Sequence, residues 1–401
     1  MPHDASAATG PVRTVAALGT AQTLAWASSY YLPAVLAAPM ARDLDVSTAT
    51  VFGAFSVALI VAAGVGPWSG QMIDRHGGRP VLMGTNLVFA AGLAGLALAQ
   101  GACGLFAAWV VIGAAMGAGL YEAAFATLVH LYRLLARNAI TGITLIAGFA
   151  STVGWPLTAL LEAKLGWRGA CLVWAGLHVA IGLPLNASLA RTSLDAGTEG
   201  GQRGSARPSL EDEVMTARPV LTTVLLALVF ALTWFISTAM AAHLPRVLEA
   251  AGATMVAAVS VGALVGPAQV GGRLLEFGLL RHVHPLLSAR LAALAHPIGV
   301  VALMAAGAPA AAAFAILHGA GNGILTIAKG TLPLVFFGAR GYGARQGWMM
   351  VPARIAQALA PFLFGLAVDR WGGRALWVSG GLGLVAFVAL LLLGRRQLVV
   401  G

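Results

Sequence analysis

Between Val81 and Leu120 the chain has no Asp, Glu, Lys or Arg. About 20 apolar residues in a helix cross the roughly 30 Å hydrocarbon core of a bilayer. This uncharged stretch is long enough for two crossings, folding back near Gln100-Gly101, where glycine punctuates. Val51 to Ser69 is a further run, almost wholly Ala, Val, Ile, Leu, Phe and Gly. The eleven residues Gly70–Pro80 lie between these runs and carry Asp74, Arg75 and Arg79. They read as a tight charged turn joining two membrane helices.

Composition agrees with that reading. Hydrophobic residues make up 59% of the chain and charged ones 9%, against about 25% charged in a soluble domain. The chain is therefore an integral membrane protein whose first partner is a lipid bilayer. Its 51 glycines allow close helix contacts where no hydrophobic drive holds helices together, and Gly113-x-x-x-Gly117 is one such pattern. The net charge of +10 does not point to nucleic acid, because the basic residues are dispersed over short loops. Cys103 and Cys171 offer no disulfide framework or metal signature and read as apolar thiols. No histidine set has metal-ligand spacing, no phosphate-binding glycine loop occurs, and Met1–Pro11 has no signal-peptide pattern. No cofactor is expected. An embedded enzyme would need a nucleophile–base pair or a metal cluster on facing helices; the chain shows neither and reads as a non-enzyme.

The length criterion yields twelve helices, at 13–40, 47–69, 80–99, 102–129, 138–161, 169–189, 219–242, 253–279, 285–306, 310–336, 346–367 and 375–394. With Met1 inside, the outer segments hold six basic residues: Arg42, Lys164, Arg168, Arg246, Arg370 and Arg374. Arg273, Lys329 and Arg354 fall within helices, and the other fifteen are inside. This bias puts both termini in the cytoplasm. The polar stretch 190–218, with Glu211-Asp212-Glu213, reads as a linker between a six-helix half at 1–189 and another at 219–401. The halves echo each other. Pro156…Glu162…Gly166-Trp167-Arg168 recurs, one residue longer, as Pro361…Asp369…Gly373-Arg374. The expected fold is all-α, with twelve transmembrane helices in two pseudo-symmetric bundles, the architecture of many secondary transporters.

The turn Gly70-x-x-x-Asp74-Arg75-x-Gly77-Gly78-Arg79 resembles the signature of the major facilitator superfamily between its second and third helices. The likeness in helix count, seam and duplication extends over essentially the whole chain. It implies that Gly70, Asp74, Arg75, Gly77 and Arg79 form a cytoplasmic latch between the halves. A carboxylate facing the N-terminus of another helix suits that role through the helix dipole. Topology alone would account for Arg75 and Arg79 but not for Asp74, because acids contribute little to orientation. The second-half counterpart, Arg281-His282-Val283-His284, lacks the acid and the glycine. A narrower pattern, Tyr132-Arg133…Arg137-Asn138-Ala139…Gly142…Ala147-Gly148, is similar to the fifth-helix motif of monocarboxylate and oxalate–formate porters.

Charge within a membrane helix costs a few kcal/mol or more and marks function by default. Arg273, Lys329 and Arg354 lie about 12 Å into the bilayer from the inner side, at 1.5 Å per residue. Arg273 resembles the substrate-carboxylate ligand of those porters and has the two-pronged geometry for it. Pairing with Glu276 on the same face, or snorkelling, would also explain Arg273. Glu122, the one deep acid of the first half, is either a proton-coupling group or a fixed ion-pair partner. His318 and Asn322 form a polar stripe at i, i+4. Tyr30, Tyr31 and Trp234 occupy the middles of the first and seventh helices, which line the cavity in the superfamily. Each of these fits either the substrate path or helix packing.

The function this implies is secondary active transport of a small organic solute by alternating access. The cargo expected is a monocarboxylate-like anion, driven by proton symport or exchange, carried by a monomer in a bacterial inner membrane. The alternative is an efflux transporter of lipophilic drugs or metalloid compounds.

Overall fold

A computed structural model describes residues 5–190 and 218–394. The stretch read as a linker, save Ala190 and Arg218, and the C-terminal residues with Arg395 and Arg396 lie outside the described residues. Among the described residues the helices form twelve spans. In the first half they are Ala5–Ser28 with Pro33–Asp43, then Thr48–His76, then Gly78–Ala97, then Gly101–Gly119 with Tyr121–Tyr132. The fifth and sixth follow as Ala136–Ala147 and Ala150–Leu177, a π turn His178–Gly182, and Leu183–Ala187. Ala150–Leu177 is parted at Gly166, whose φ is 70°. The seventh to ninth are Pro219–Ala250, Met255–Gly262 with Val265–Gly278, and Pro285–Ala306. Ala311–Phe337, Tyr342–Trp371 and Leu376–Leu392 are the tenth to twelfth. The molecule is an all-α integral membrane protein of two pseudo-symmetric six-helix bundles.

Physical chemistry accounts for the faces of these helices. On Gly101–Gly119 the buried residues Leu105, Ala108, Trp109, Ile112, Ala115 and Met116 recur at helical spacing. Val110 and Val111 on the opposite face are exposed, as are Trp68, Leu87 and Val88 on neighbouring helices. An apolar outer surface of this kind is what lipid tails accept, with backbone groups satisfied inside each helix. Gly113 and Gly117 make the close contact their spacing suggests. A Cβ on Gly113 would stand 2.5 Å from the Ala58 carbonyl oxygen, and one on Gly117 2.7 Å from that of Ala62. Thr48–His76 and Gly101–Gly119 can therefore meet backbone to backbone only through glycine.

The chain divides into two compact units. One holds the described residues up to 190 together with Phe337–Trp348; the other holds 218–336 and 349–394. The start of the eleventh span thus packs with the first unit. The core of the second unit gathers Met240, Val300, Phe314, Phe364 and Leu376. Cys103 is exposed and Cys171 buried, both as free thiols.

The structure corrects one expectation about the charged turn. Thr48–His76 stays helical through Asp74 and Arg75, and the next helix begins at Gly78, so the reversal falls on Gly77 alone, at φ 79°. A glycine tolerates that positive φ without the Cβ clash that would extend the turn. Asp74 and Arg75 consequently stand on a helix end, and Arg79 on the first turn of the next helix.

Candidate functional site

The first cluster is built at that helix end. Asp74 accepts hydrogen bonds from the backbone N–H groups of Gly343 at 2.9 Å and Ala344 at 2.8 Å. These are orphan donors of the first turn of Tyr342–Trp371, so the carboxylate caps the eleventh span and meets its positive dipole end. Gly70 makes the approach possible, because a Cβ there would collide with the Gly343 carbonyl oxygen. Tyr342 is buried beside the cap, within electrostatic range of both Asp74 and Glu122. Arg75 is exposed and Arg79 is half-buried. Gly70 and Asp74 are thereby brought into one contact, while Gly77 makes the helix reversal beside it.

Breaks in three spans mark the interior. The first helix ends at Ser28 and resumes at Pro33. The Ser28 and Ser29 hydroxyls turn back to the Leu24 and Ala25 carbonyls, a local competitor of helix hydrogen bonding. Tyr30 and Tyr31 sit in this break. Their rings lie 5.2 Å and 6.3 Å from Trp26, which in turn is 4.9 Å from Tyr121. The fourth span breaks at Leu120, so Glu122 lies in the first turn of Tyr121–Tyr132. A half-helix N-terminus favours negative charge. The eighth span breaks between Gly262 and Val265. Discontinuous spans of this kind carry the midplane sites of secondary transporters. Sequence periodicity showed each as one continuous helix, because an interruption of one to four residues leaves the apolar pattern intact.

Every Lys, Arg, Asp or Glu that is buried among the described residues belongs to the second unit: Arg273, Glu276, Lys329 and Arg354. Trp234 gathers two of them. Lys329 Nζ stands 4.0 Å from its ring centroid and Arg354 Cζ 5.6 Å. An indole face attracts cations electrostatically, most strongly out of water. Arg354 also donates to Gln357 Oε1 at 3.1 Å, a residue the sequence reading passed over. Arg273 and Glu276 are buried together on Val265–Gly278. Three predicted residues, Trp234, Lys329 and Arg354, are therefore assembled from the seventh, tenth and eleventh spans.

A second polar cluster in this unit surrounds a cavity of about 20 Å³. His318 and Asn322 both line it, with His296 and Thr233. His318 Nδ1 lies 3.1 Å from His296 Nδ1, and its ring stacks on Phe314. His296 was not anticipated, since a single histidine in an apolar helix gives no periodic signal. The first unit has a comparable network: His178 lies 2.8 Å from Ser28 Oγ and 3.0 Å from Asn86 Oδ1.

Comparison with known proteins agrees with this architecture. Residues 18–328 match the family model described as Major Facilitator Superfamily. Monocarboxylate transporter 3 of Rattus norvegicus is 26% identical over 342 residues, covering 82% of this chain and 68% of that protein. Among solved structures, the human organic anion transporter MFSD10 superposes with a TM-score of 0.70 at 16% identity, covering 95% of this chain and 99% of the other. The E. coli fucose:proton symporter FucP gives 0.72 at 14% identity, covering 96% and 100%. At those identities the structural likeness speaks for the fold. The chain belongs to the major facilitator superfamily and is a transporter rather than an enzyme.

Proposed function

We propose that this transporter carries a small organic anion of the monocarboxylate class, bound against Lys329 and Arg354 beside Trp234. The supporting observation is the buried charge of the second unit, where three cations accompany one carboxylate, Glu276. Two cations held on one indole ring repel each other, and an arriving carboxylate relieves that repulsion in a medium where charge interactions are strong. Arg273 adds a two-pronged ligand on a neighbouring span. The rat relative is named as a monocarboxylate transporter and the human structure as an organic anion transporter, which accords with an anionic cargo. Tyr30, Tyr31, His318 and Asn322 complete the lining of the path, and Glu122 serves as a proton-coupling acid of the first unit.

Asp74, with Gly70 and Gly77, acts as the latch on the eleventh span, flanked by Arg75 and Arg79. Releasing its two hydrogen bonds frees that helix to follow the second unit during alternating access. The protein works as a monomer in a bacterial inner membrane, with both termini cytoplasmic and 190–218 as the linker between halves.

The test is uptake of labelled L-lactate, pyruvate, formate and oxalate by purified protein in liposomes. The expected outcome is saturable uptake of at least one, reduced to leak by Arg354→Gln. Absence of carboxylate uptake alongside extrusion of a lipophilic or metalloid compound would replace this reading with efflux.

A further inference from the structure

The second unit buries a pair of imidazoles, His296 and the path-lining His318, to which the anion-binding reading gives no proton role. His296 and His318 face each other through Nδ1 atoms 3.1 Å apart. His296 Nε2 lies 3.1 Å from Ser379 Oγ, and Ser379 Oγ donates to the Leu376 carbonyl at 3.0 Å. No third His, Cys, Asp or Glu joins the pair among the described residues, so the contact is a hydrogen bond rather than a metal site.

The proton positions follow from counting donors. A hydroxyl has one hydrogen. With that hydrogen on the Leu376 carbonyl, Ser379 accepts from His296, so His296 carries its hydrogen on Nε2. A neutral imidazole then leaves His296 Nδ1 as an acceptor, and His318 Nδ1 must be the donor to it. His318 is left with a lone pair on Nε2. The reverse sense would sacrifice the Ser379–Leu376 bond and make two hydrogen bonds in place of three.

The His318 ring lines the cavity beside Asn322, whose 20 Å³ has room for about one water. The groups facing the pair are Thr233 from the seventh span, Phe314 and Asn322 from the tenth, and Ser379 and Gly383 from the twelfth. None of them carries charge. Lys329 is about 16 Å further along the tenth helix. Arg290, about 9 Å before His296 on the ninth, is turned onto the Leu390 and Leu393 carbonyls.

We propose that His318 Nε2 is a proton-binding site of the transport cycle, distinct from Glu122 and limited to one proton by His296. The proton arrives through cavity water and binds the Nε2 lone pair. The His318 Nδ1–H bond to His296 is kept and becomes charge-assisted. A second proton, on His296 Nδ1, would set two N–H groups against each other. This inference rests on the reading that transport is proton-coupled.

Two arms test it. In the first, histidine nitrogen NMR of the purified full-length protein reads tautomers directly, without any substrate. At high pH His318 should carry hydrogen on Nδ1 and His296 on Nε2, and on acidification only His318 should gain a proton. Hydrogen on His318 Nε2 at high pH, failure of His318 to titrate, or separate protonation of both rings would overturn the proposal. The second arm uses labelled L-lactate in liposomes. His318→Gln should lower accumulation driven by an imposed pH gradient by a much larger factor than it lowers lactate–lactate exchange. Accumulation equal to that of the unaltered protein would also overturn it. If His318→Gln fails to fold, Ser379→Ala replaces it and should weaken the His296 tautomer preference seen by NMR; an unchanged tautomer ratio counts against the proposal. If the unaltered protein exchanges no lactate, the cargo reading fails while the NMR arm still decides the proton site.

Discussion

The turn after the second helix and the turn after the eighth occupy equivalent places in the two halves, yet they do different things. In the first, Asp74 reaches two backbone N–H groups at the start of the eleventh span. In the second, two side-chain bonds are local. Arg281 donates to the adjacent His282, and His284 accepts from Leu286 N–H. Buried charge is divided the opposite way. The second half buries Arg273, Glu276, Lys329 and Arg354, whereas the first buries no described Lys, Arg, Asp or Glu. The two bundles are pseudo-symmetric; one holds the Asp74 cap and the other carries the ionic interior. The lesson is that pseudo-symmetry of backbone does not imply symmetry of charge.

The sharpest way to break this contrast is Asp74→Asn. Hydrogen bonds to a charged group contribute about 1.5–3 kcal/mol each, so uptake in liposomes should fall by about tenfold or more. His282→Ala, in the degraded turn, should change it by less than about twofold, since exposed substitutions cost about 0.5 kcal/mol or less. Equal effects would remove the asymmetry. Gly70→Ala tests the same contact by sterics, because its new methyl meets the Gly343 carbonyl oxygen. Overpacking of this sort costs about 1–3 kcal/mol, and increased accessibility of a cysteine placed at Ala344 to a thiol reagent should report release of the cap.

A smaller effect is expected on the cargo side. Lys329→Gln should raise the apparent dissociation constant for a carboxylate by about tenfold, as loss of one charge-assisted bond does. Its thermal stabilisation by that carboxylate should shrink in step. A comparable loss from Glu122→Gln would show that ligand contacts are shared between the halves.

The least effect should come from the surface pairs. Asp43 meets Arg168 at 2.8 Å, and Arg246 meets Asp369 at 2.7 Å. Each pair lies within one half, with the acid on the first span in one and the base on the seventh span in the other. All four side chains are between 38% and 61% exposed, so screening limits each pair to about 1 kcal/mol or less. Asp43→Asn and Asp369→Asn should each leave the melting temperature almost unchanged, and a large drop in one alone would reveal a further inequality.

Much of this was legible from residue order. The twelve spans follow from uncharged length, because a bilayer admits few charges in a segment of fixed thickness. Lys329 and Arg354 stood out as candidates for the same reason, since a cation is conspicuous in an apolar helix. His296 and Gln357 were not, because one polar residue among apolar ones could face anything. The breaks at Ser29–Leu32 and at Leu120 were also hidden, as helix continuity depends on local hydrogen bonding that hydropathy does not record.

The sequence by itself determined that this is a twelve-span membrane protein with a charged junction at Asp74. Hydrophobic length and charge exclusion act locally and need no knowledge of neighbours. Only the tertiary structure decided that Asp74 caps Tyr342–Trp371, that Trp234 gathers Lys329 and Arg354, and that His318 meets His296. Each of these joins residues far apart in the chain, through contacts set by how helices pack and which backbone donors their ends leave open.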